Sequence, residues 1–405
     1  MYVEKQVLAW CRQMMGFPED CGALLVSGTS MATIVALKAA RDRATAFAMR
    51  KGGVGGVGGV GDVGGEGGAD AAAPQLIGYT SAQAHSCLAR AFDLLGLGSD
   101  ALRKVPVHSD DFTIDQRALE AMIAEDRQAG RTPFVVIGTA GSVNVGAIDD
   151  LSGLAELAAR EQLWLHVDGA FGAPAVLSDL VRPRLRGLER ADSLAFDFHK
   201  WLHVNYDAGC VLIRDRDAHL RSFSERPDYL APHVRGLAAG SPWPVDFGPE
   251  LSRGFRALKV WSHLLEHGTT KLGTAITRNC EHAAHLATSV DAAASLERLA
   301  PAALNIVVFR YVGGTEEERK VVAAMSEAKL DDLNDEIVVA LQESGVAAPS
   351  TTRINGKLAI RVNITNHRTR FADLDLLIAE VQRIGARLLA QVLAQQRPAE
   401  MVEVV

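Results

Sequence analysis

The sequence predicts an α/β fold: a mostly parallel sheet flanked by helices, followed by a smaller α+β C-terminal domain. Three observations carry this. Between residues 75 and 213, strand-length apolar runs alternate with helical periods, the pattern of parallel strands joined by crossover helices. Runs such as 134–139 and 163–167 are apolar at nearly every position, as strands buried on both faces are. Past about residue 250 long helical periods dominate, with only two strand-like runs between them.

Taken in order, residues 3–15 set Val3, Val7, Leu8, Cys11, Met14 and Met15 at helical spacing. A short apolar run at 22–26 leads into the turn Ser27-Gly28-Thr29-Ser30. A helix follows over about 31–50, with Ile34, Leu37 and Ala40 on one face. Residues 52–68 are mainly glycine with interspersed valine; so few side chains cannot pack, and the tract reads as a flexible surface loop. It lacks a Gly-Lys-Ser/Thr ending and a strand feeding it, so it does not read as a phosphate loop. Strands are expected at 75–79, 104–107, 134–139, 163–167, 193–196 and 209–213, with helices at 82–95, 116–129 and 151–162. Five of the fourteen prolines fall between 226 and 249 with little periodicity, so about 224–249 reads as a long loop, a length that in a compact domain is usually functional. A helical stretch from 251 to about 294 breaks at Gly268. A strand at 304–309, a helix at 332–343, a strand at 358–362 and a helix at 374–395 complete the chain. The expected division is a large domain over 1–266 and a small one over 267–405.

Composition narrows the function. With 405 residues, 48% of them hydrophobic, the chain can bury two sizeable cores. A net charge of -7 supplies no basic face for nucleic acid and no polybasic membrane patch. Cys11, Cys21, Cys87, Cys210 and Cys280 are scattered, with no Cys-x-x-Cys pair, which argues against structural zinc and disulfides and fits a reducing compartment. No apolar run reaches the roughly 18–20 residues of a spanning helix. The first residues lack a signal-peptide pattern, so a cytoplasmic location is expected.

The chemistry gathers at the ends of the expected strands, where ligands bind in such folds. Lys200 follows the run Ser193-Leu194-Ala195-Phe196-Asp197-Phe198-His199, and Asp168 ends the run Leu163-Trp164-Leu165-His166-Val167. A lysine following a polarising acid is what pyridoxal phosphate (PLP) chemistry needs: the amine forms a Schiff base and the acid keeps the pyridine nitrogen protonated. Asp168, after an apolar run, is expected to be poorly solvated, and so either to find a cation or to shift its pKa upward. Lys200, between His199 and Trp201, is expected in a dry setting that favours the neutral amine. His166 with Asp168 suggests a metal only if a third ligand follows, and none does at a usual spacing, so no metal is expected. Thr29 and Ser30 at a helix start are either a phosphate seat or an ordinary N-cap. His85 is either a ring stacked on a planar cofactor or a structural residue near a helix start. Thr139 ends an apolar strand, as a ligand contact or a plain strand-to-loop turn.

Four segments carry a resemblance: Ala84-His85-Ser86, Trp164-Leu165-His166-Val167-Asp168-Gly169-Ala170, His199-Lys200-Trp201, and Phe255-Arg256-Ala257-Leu258-Lys259-Val260-Trp261. The chain resembles the PLP-dependent group II amino-acid decarboxylases, the family of aromatic-L-amino-acid, histidine and glutamate decarboxylases. The resemblance implies a fold-type I PLP enzyme, a homodimer with its site at the subunit interface, and decarboxylation of an L-amino acid, aromatic slightly favoured, to the amine and carbon dioxide. It makes 1–266 the PLP-binding domain. Lys200 would be the Schiff-base lysine, Asp168 the pyridine-nitrogen partner, His85 the stacking ring and Ala170 the support of the other ring face. Thr29, Ser30 and His199 would hold the phosphate, with Asp197 and Thr139 nearby. Tyr229 matches the tyrosine of a mobile catalytic loop that protonates the quinonoid carbon. In this family, exchange of that tyrosine for Phe, or of the histidine for Asn, accompanies aldehyde-forming chemistry; both residues are present here. The family pattern also carries an N-terminal region that wraps the partner subunit, and this chain is expected to begin after it. Other PLP chemistry (aminotransferase, aldehyde synthase or lyase) and a PLP-binding remnant without turnover are the competing readings. Arg361 reads either as a small-domain contact to the site or as a salt-bridge partner.

Overall fold

A computed structural model describes residues 2–53, 74–225, 235–236 and 242–396. The chain forms two compact units: 1–109 with 113–143 and 147–274, and 110–112 with 144–146 and 275–405.

The first unit is built on a seven-stranded sheet of β1 (Gly22–Val26), β2 (Leu76–Ser81), β3 (Leu102–Val105), β4 (Thr132–Thr139), β5 (Trp164–Asp168), β6 (Ser193–Asp197) and β7 (Gly209–Ile213), in the order β1-β7-β6-β5-β4-β2-β3. The neighbours from β6 through β3 are parallel, whereas β7 is antiparallel to both β6 and β1. The cause is the connection: residues 198–208 contain no helix, and a parallel return needs a crossover of a dozen or more residues. β1, β2, β5, β6 and β7 are buried at every position, as their apolar runs require.

Helices α1 (Tyr2–Met15), α2 (Thr29–Ala44), α3 (Ala48–Gly52), α4 (Cys87–Leu94), α5 (Gln116–Gln128), α6 (Leu151–Arg160) and α7 (Arg216–Phe223) surround this sheet. Asp115, Asp150 and Asp215 cap α5, α6 and α7, each carboxylate accepting from backbone N–H groups of the first turn. The helix expected over 31–50 is two helices, because Ala46 and Phe47 take left-handed φ values of 47° and 67°. It also starts earlier, at Thr29, and α2 is buried around most of its circumference rather than on one face. The helix expected from residue 82 begins only at Cys87. α7 was not legible, since its residues are mostly polar.

α8 (Arg256–Ala292) breaks at Gly268, whose φ of 67° interrupts the helix at the expected place. The second unit holds an antiparallel sheet of β8 (Leu296–Arg298), β9 (Ile306–Tyr311), β10 (Ser350–Ile354) and β11 (Lys357–Asn363), ordered β10-β11-β9-β8. α9 (Glu316–Ala324), α10 (Glu327–Glu343) and α11 (Phe371–Gln396) complete it. Its core packs Leu286, Val290, Phe309, Ile337, Ile360 and Val381. Among the described residues no helix is long and apolar enough to cross a membrane.

One edge of the large sheet concentrates the chemistry. Ser81, Thr139, Asp168 and Asp197 are the last residues of β2, β4, β5 and β6. Thr139 pairs with Asp168, and Asp168 with Ala195. Gly209 pairs with both Asp197 and Val26, so the turn that starts α2 arrives at the same edge.

Candidate active site

Asp197 is the junction of the site. It is buried, and its Oδ1 accepts the backbone N–H of Thr29 (2.7 Å). Its Oδ2 lies 3.1 Å from Lys200 Nζ and 3.7 Å from His199 Nε2. His199 Nδ1 accepts the Ala208 N–H (3.0 Å), which leaves Nε2 as the protonated ring nitrogen facing the carboxylate. The charge-assisted bond from the Thr29 N–H to this buried carboxylate contributes about 1.5–3 kcal/mol. The meeting of strand end and helix start requires glycine at 209 and leaves little room at 28. A Cβ on Gly209 would lie 2.6 Å from Gly28 Cα and 2.8 Å from Asp197 Oδ1; one on Gly28 would lie 3.1 Å from His199 Cε1.

Gly28 is the N-cap of α2 and has no side chain to cap it, so neither Thr29 nor Ser30 serves as the ordinary cap. The Thr29 hydroxyl is buried without a hydrogen-bond partner, and the same holds for the Thr139 hydroxyl. Two orphaned buried hydroxyls at one strand edge, next to an uncapped helix start, fit a group rich in acceptor oxygens.

Asp168 is 5% exposed. Burial pushes its carboxyl above the ordinary 3.8, while the Ala170 N–H on Oδ1 (3.1 Å) and the charges of Lys200 and His85 pull the other way. His85 is exposed, and its Nδ1 accepts the Cys87 N–H (3.1 Å) at the start of α4, so the ring is fixed to that helix whatever else it touches. His166 is buried and neutral, its pKa pushed down to about 3 by burial, and its Nδ1 is bonded to Ser193 Oγ (2.8 Å). Among the described residues no three His, Cys, Asp or Glu side chains converge on a metal position.

One expectation is corrected. Lys200 is not in a dry setting: its side chain is 38% exposed, while the neighbouring Trp201, stacked on Phe171 at 4.7 Å, and Leu202 are buried. Tyr229, most of the 224–249 stretch and residues 54–68 of the glycine tract lie outside the described residues. Arg361 belongs to the second unit, where it donates to Ser350 Oγ (3.4 Å).

Three further residues were not singled out from sequence. The Tyr206 ring lies 4.3 Å from that of His199 and is otherwise open to solvent. The buried Asp149 carboxylate accepts the Thr139 N–H and the Ile114 N–H, both at 2.8 Å, and so braces the end of β4. The Cys87 thiol is pushed up to about 12 by burial and by Asp168. Asp149 sits beside a helix cap, and its sequence signal is no different from that of the capping Asp150.

A family model described as the pyridoxal-dependent decarboxylase conserved domain matches residues 1–312. An aromatic-L-amino-acid decarboxylase of Bacillus atrophaeus is 33% identical over 390 residues, covering 95% of this chain and 73% of that protein. An L-2,4-diaminobutyrate decarboxylase of Rhizobium meliloti is 30% identical, covering 91% of this chain and 66% of that protein. The crystal structure of Oryza sativa TDC with PLP and tryptamine superposes with a TM-score of 0.82 at 26% identity, over 96% of this chain and 76% of that one.

The raised pKa of Asp168 has a consequence for the cofactor-free chain. An acid whose folded pKa exceeds its unfolded one binds protons more readily when folded. Its contribution is therefore favourable at low pH, declines as pH rises above 3.8, and is fully unfavourable above the raised folded pKa. Asp168→Asn is expected to raise the melting temperature of the cofactor-free chain at pH 7 and to change it little near pH 3. Calorimetry at the two pH values checks this; a variant destabilised equally at both contradicts it.

Proposed function

Since the chain belongs to the pyridoxal-dependent decarboxylase family of PLP-dependent carboxy-lyases, we propose that it removes carbon dioxide from an L-amino acid, aromatic in preference to acidic, with Lys200 as the lysine that carries the cofactor. The observation that carries this reading is the single strand edge at which Thr29, Thr139, Asp168, Asp197, His199 and Lys200 meet.

When bound, PLP supplies an aldehyde for a lysine amine and a ring that takes up the electron pair left as carbon dioxide departs. The chain's own groups have matching work. Asp197 pairs with the Lys200 amine at 3.1 Å and so orients it. Asp168, dry and raised in pKa, would be kept ionised by a neighbouring cation, and a protonated ring nitrogen would be such a cation. The Thr29 and Ser30 end of α2 and the His199 Nε2–H would supply donors for a phosphate, and the buried Thr139 hydroxyl would supply one more donor for the cofactor. Ala170 follows Asp168 closely enough to support one ring face, and His85, held by Cys87, is the candidate for the other. Tyr229 is the proposed proton donor, and its presence with His85 supports simple decarboxylation over aldehyde formation. The aromatic preference is supported by the names of the Bacillus relative and by the tryptamine in the Oryza structure.

A homodimer is supported by exposed apolar side chains: Leu258 and Leu265 on the first half of α8, Phe255 just before it, and Tyr206 beside His199. Open apolar surface of this kind marks an association face. A cytoplasmic location is supported by five free thiols, all buried.

Absorbance spectra with added PLP should give a lysine-imine band for the wild type and none for Lys200→Ala; a band that survives in the variant contradicts the assignment. Carbon dioxide released from a panel of L-amino acids should be largest for an aromatic one, and release of keto acid or aldehyde instead would favour the other PLP chemistries. Sedimentation should give a dimer that Phe255→Asp weakens; a wild-type monomer overturns the dimer reading.

A further inference from the structure

β4 outruns one of its two neighbours. Its pairing with β2 ends where Thr80 meets Ile137, and just beyond β2 the Ala82 N–H turns to Val105 O on β3 (2.9 Å). Two residues further along, Thr139 still pairs with Asp168 on β5, and the Ala140 N–H donates to Asp168 O (2.9 Å). Successive backbone groups of a strand point to opposite flanks, so the N–H and C=O of Thr139 face the flank that β2 has left. A buried N–H there needs another acceptor.

Asp149 meets that need. Its carboxylate is 3% exposed and accepts the Thr139 N–H on Oδ2 and the Ile114 N–H on Oδ1, each at 2.8 Å. Its own N–H donates to Thr139 O (3.0 Å), so one residue holds both polar groups of the Thr139 main chain on the open flank. The chain between them is folded to bring it there. The Gly141 and Ser142 N–H groups both donate to Ala147 O, at 3.0 and 2.8 Å, and Ser142 Oγ accepts the Ala147 N–H (3.0 Å). On the other side the exposed Asp150 caps α6, taking the Gly153 N–H (3.0 Å).

The Thr139 hydroxyl is buried and has no hydrogen-bond partner. A β-branched side chain is stiff at χ1, so the direction of this hydroxyl follows the backbone that carries it. We propose that Asp149 is a positioning residue of the cofactor seat: its clamp on the Thr139 main chain fixes where the Thr139 hydroxyl points. This rests on the reading of Thr139 as a donor to the cofactor. Asparagine at 149 keeps the shape but has one accepting oxygen, and its NH2 would face a second N–H, so half of the clamp is lost. At metal sites, loss of a partner that orients a contacting group costs about ten- to a hundredfold. The lower end is expected here, because Thr139 is one cofactor contact among several.

The test titrates PLP into the cofactor-free full chain and reads the lysine-imine band. It compares wild type, Asp149→Asn, Thr139→Val and their double variant with Asp150→Ala, which removes the neighbouring helix cap as a control for lost stability. Asp149→Asn is expected to weaken PLP binding about tenfold and to speed solvent exchange of the Thr139 amide. Asp150→Ala should lower the melting temperature yet leave PLP affinity within about twofold. In the Thr139→Val background, Asp149→Asn should add little further loss of affinity. If Asp149→Asn does not fold, Asp149→Glu replaces it, with the carboxylate carried on an arm one methylene longer, and the same pattern is expected. Equal losses with and without the Thr139 hydroxyl, or an equal loss in Asp150→Ala, overturn the proposal, since Asp149 would then act on the fold at large. Unchanged affinity in Asp149→Asn, while Thr139→Val alone binds more weakly, overturns the proposal and spares the reading of Thr139. If Thr139→Val alone binds PLP as wild type does, the Thr139 reading itself has failed and the proposal falls with it. No band in the wild type sinks the cofactor reading and the proposal together.

Discussion

The site depends on one buried carboxylate. Asp197 ends β6, and through it the helix start at Thr29 and the lysine three residues further on are held in one frame. Remove that charge and the buried Thr29 N–H loses its acceptor, while the His199 ring and the Lys200 amine lose the carboxylate they face. The surrounding backbone is shaped for it. Gly28 and Gly209 clear the space that any side chain would fill, and the antiparallel turn from β6 into β7 brings Gly209 beside Asp197. A second carboxylate, Asp168, sits one strand away with a different task. Burial raises the pKa of Asp168, whereas the Asp197 carboxylate is engaged by the Thr29 N–H and the Lys200 amine.

Much of this was legible in the sequence. The continuous apolar runs of β4, β5 and β6 fixed three buried parallel strands, and their last residues placed Thr139, Asp168 and Asp197 on one edge. Gly268 announced the break in α8. Other features had no local signal. α7 is mostly polar, and its stability comes from the Asp215 cap and from cations brought by Lys38 and Arg50, residues far away in the chain. The split between α2 and α3 arises from left-handed backbone at Ala46 and Phe47, residue types that do not advertise it. Lys200 looked dry because its neighbours are bulky. Trp201 turns inward while the lysine turns out, and sequence adjacency cannot separate the two.

The same contrast applies to the residues that support the site without touching it. Asp149 and Asp150 are adjacent and chemically identical. One braces the Thr139 backbone and the other caps α6, a difference set entirely by which strand end each meets. Arg50 likewise reads as one more basic residue before a glycine tract, yet its guanidinium donates to Arg221 O and Ser224 O at the C-terminal end of α7.

The central claim is that Lys200 carries the cofactor at this edge. Borohydride reduction of the PLP-loaded chain, followed by peptide mass mapping, tests it most directly. A single phosphopyridoxyl mass on the peptide containing Lys200 is the expected result. The same mass on another lysine, or on none, would contradict the assignment of this edge as the active site.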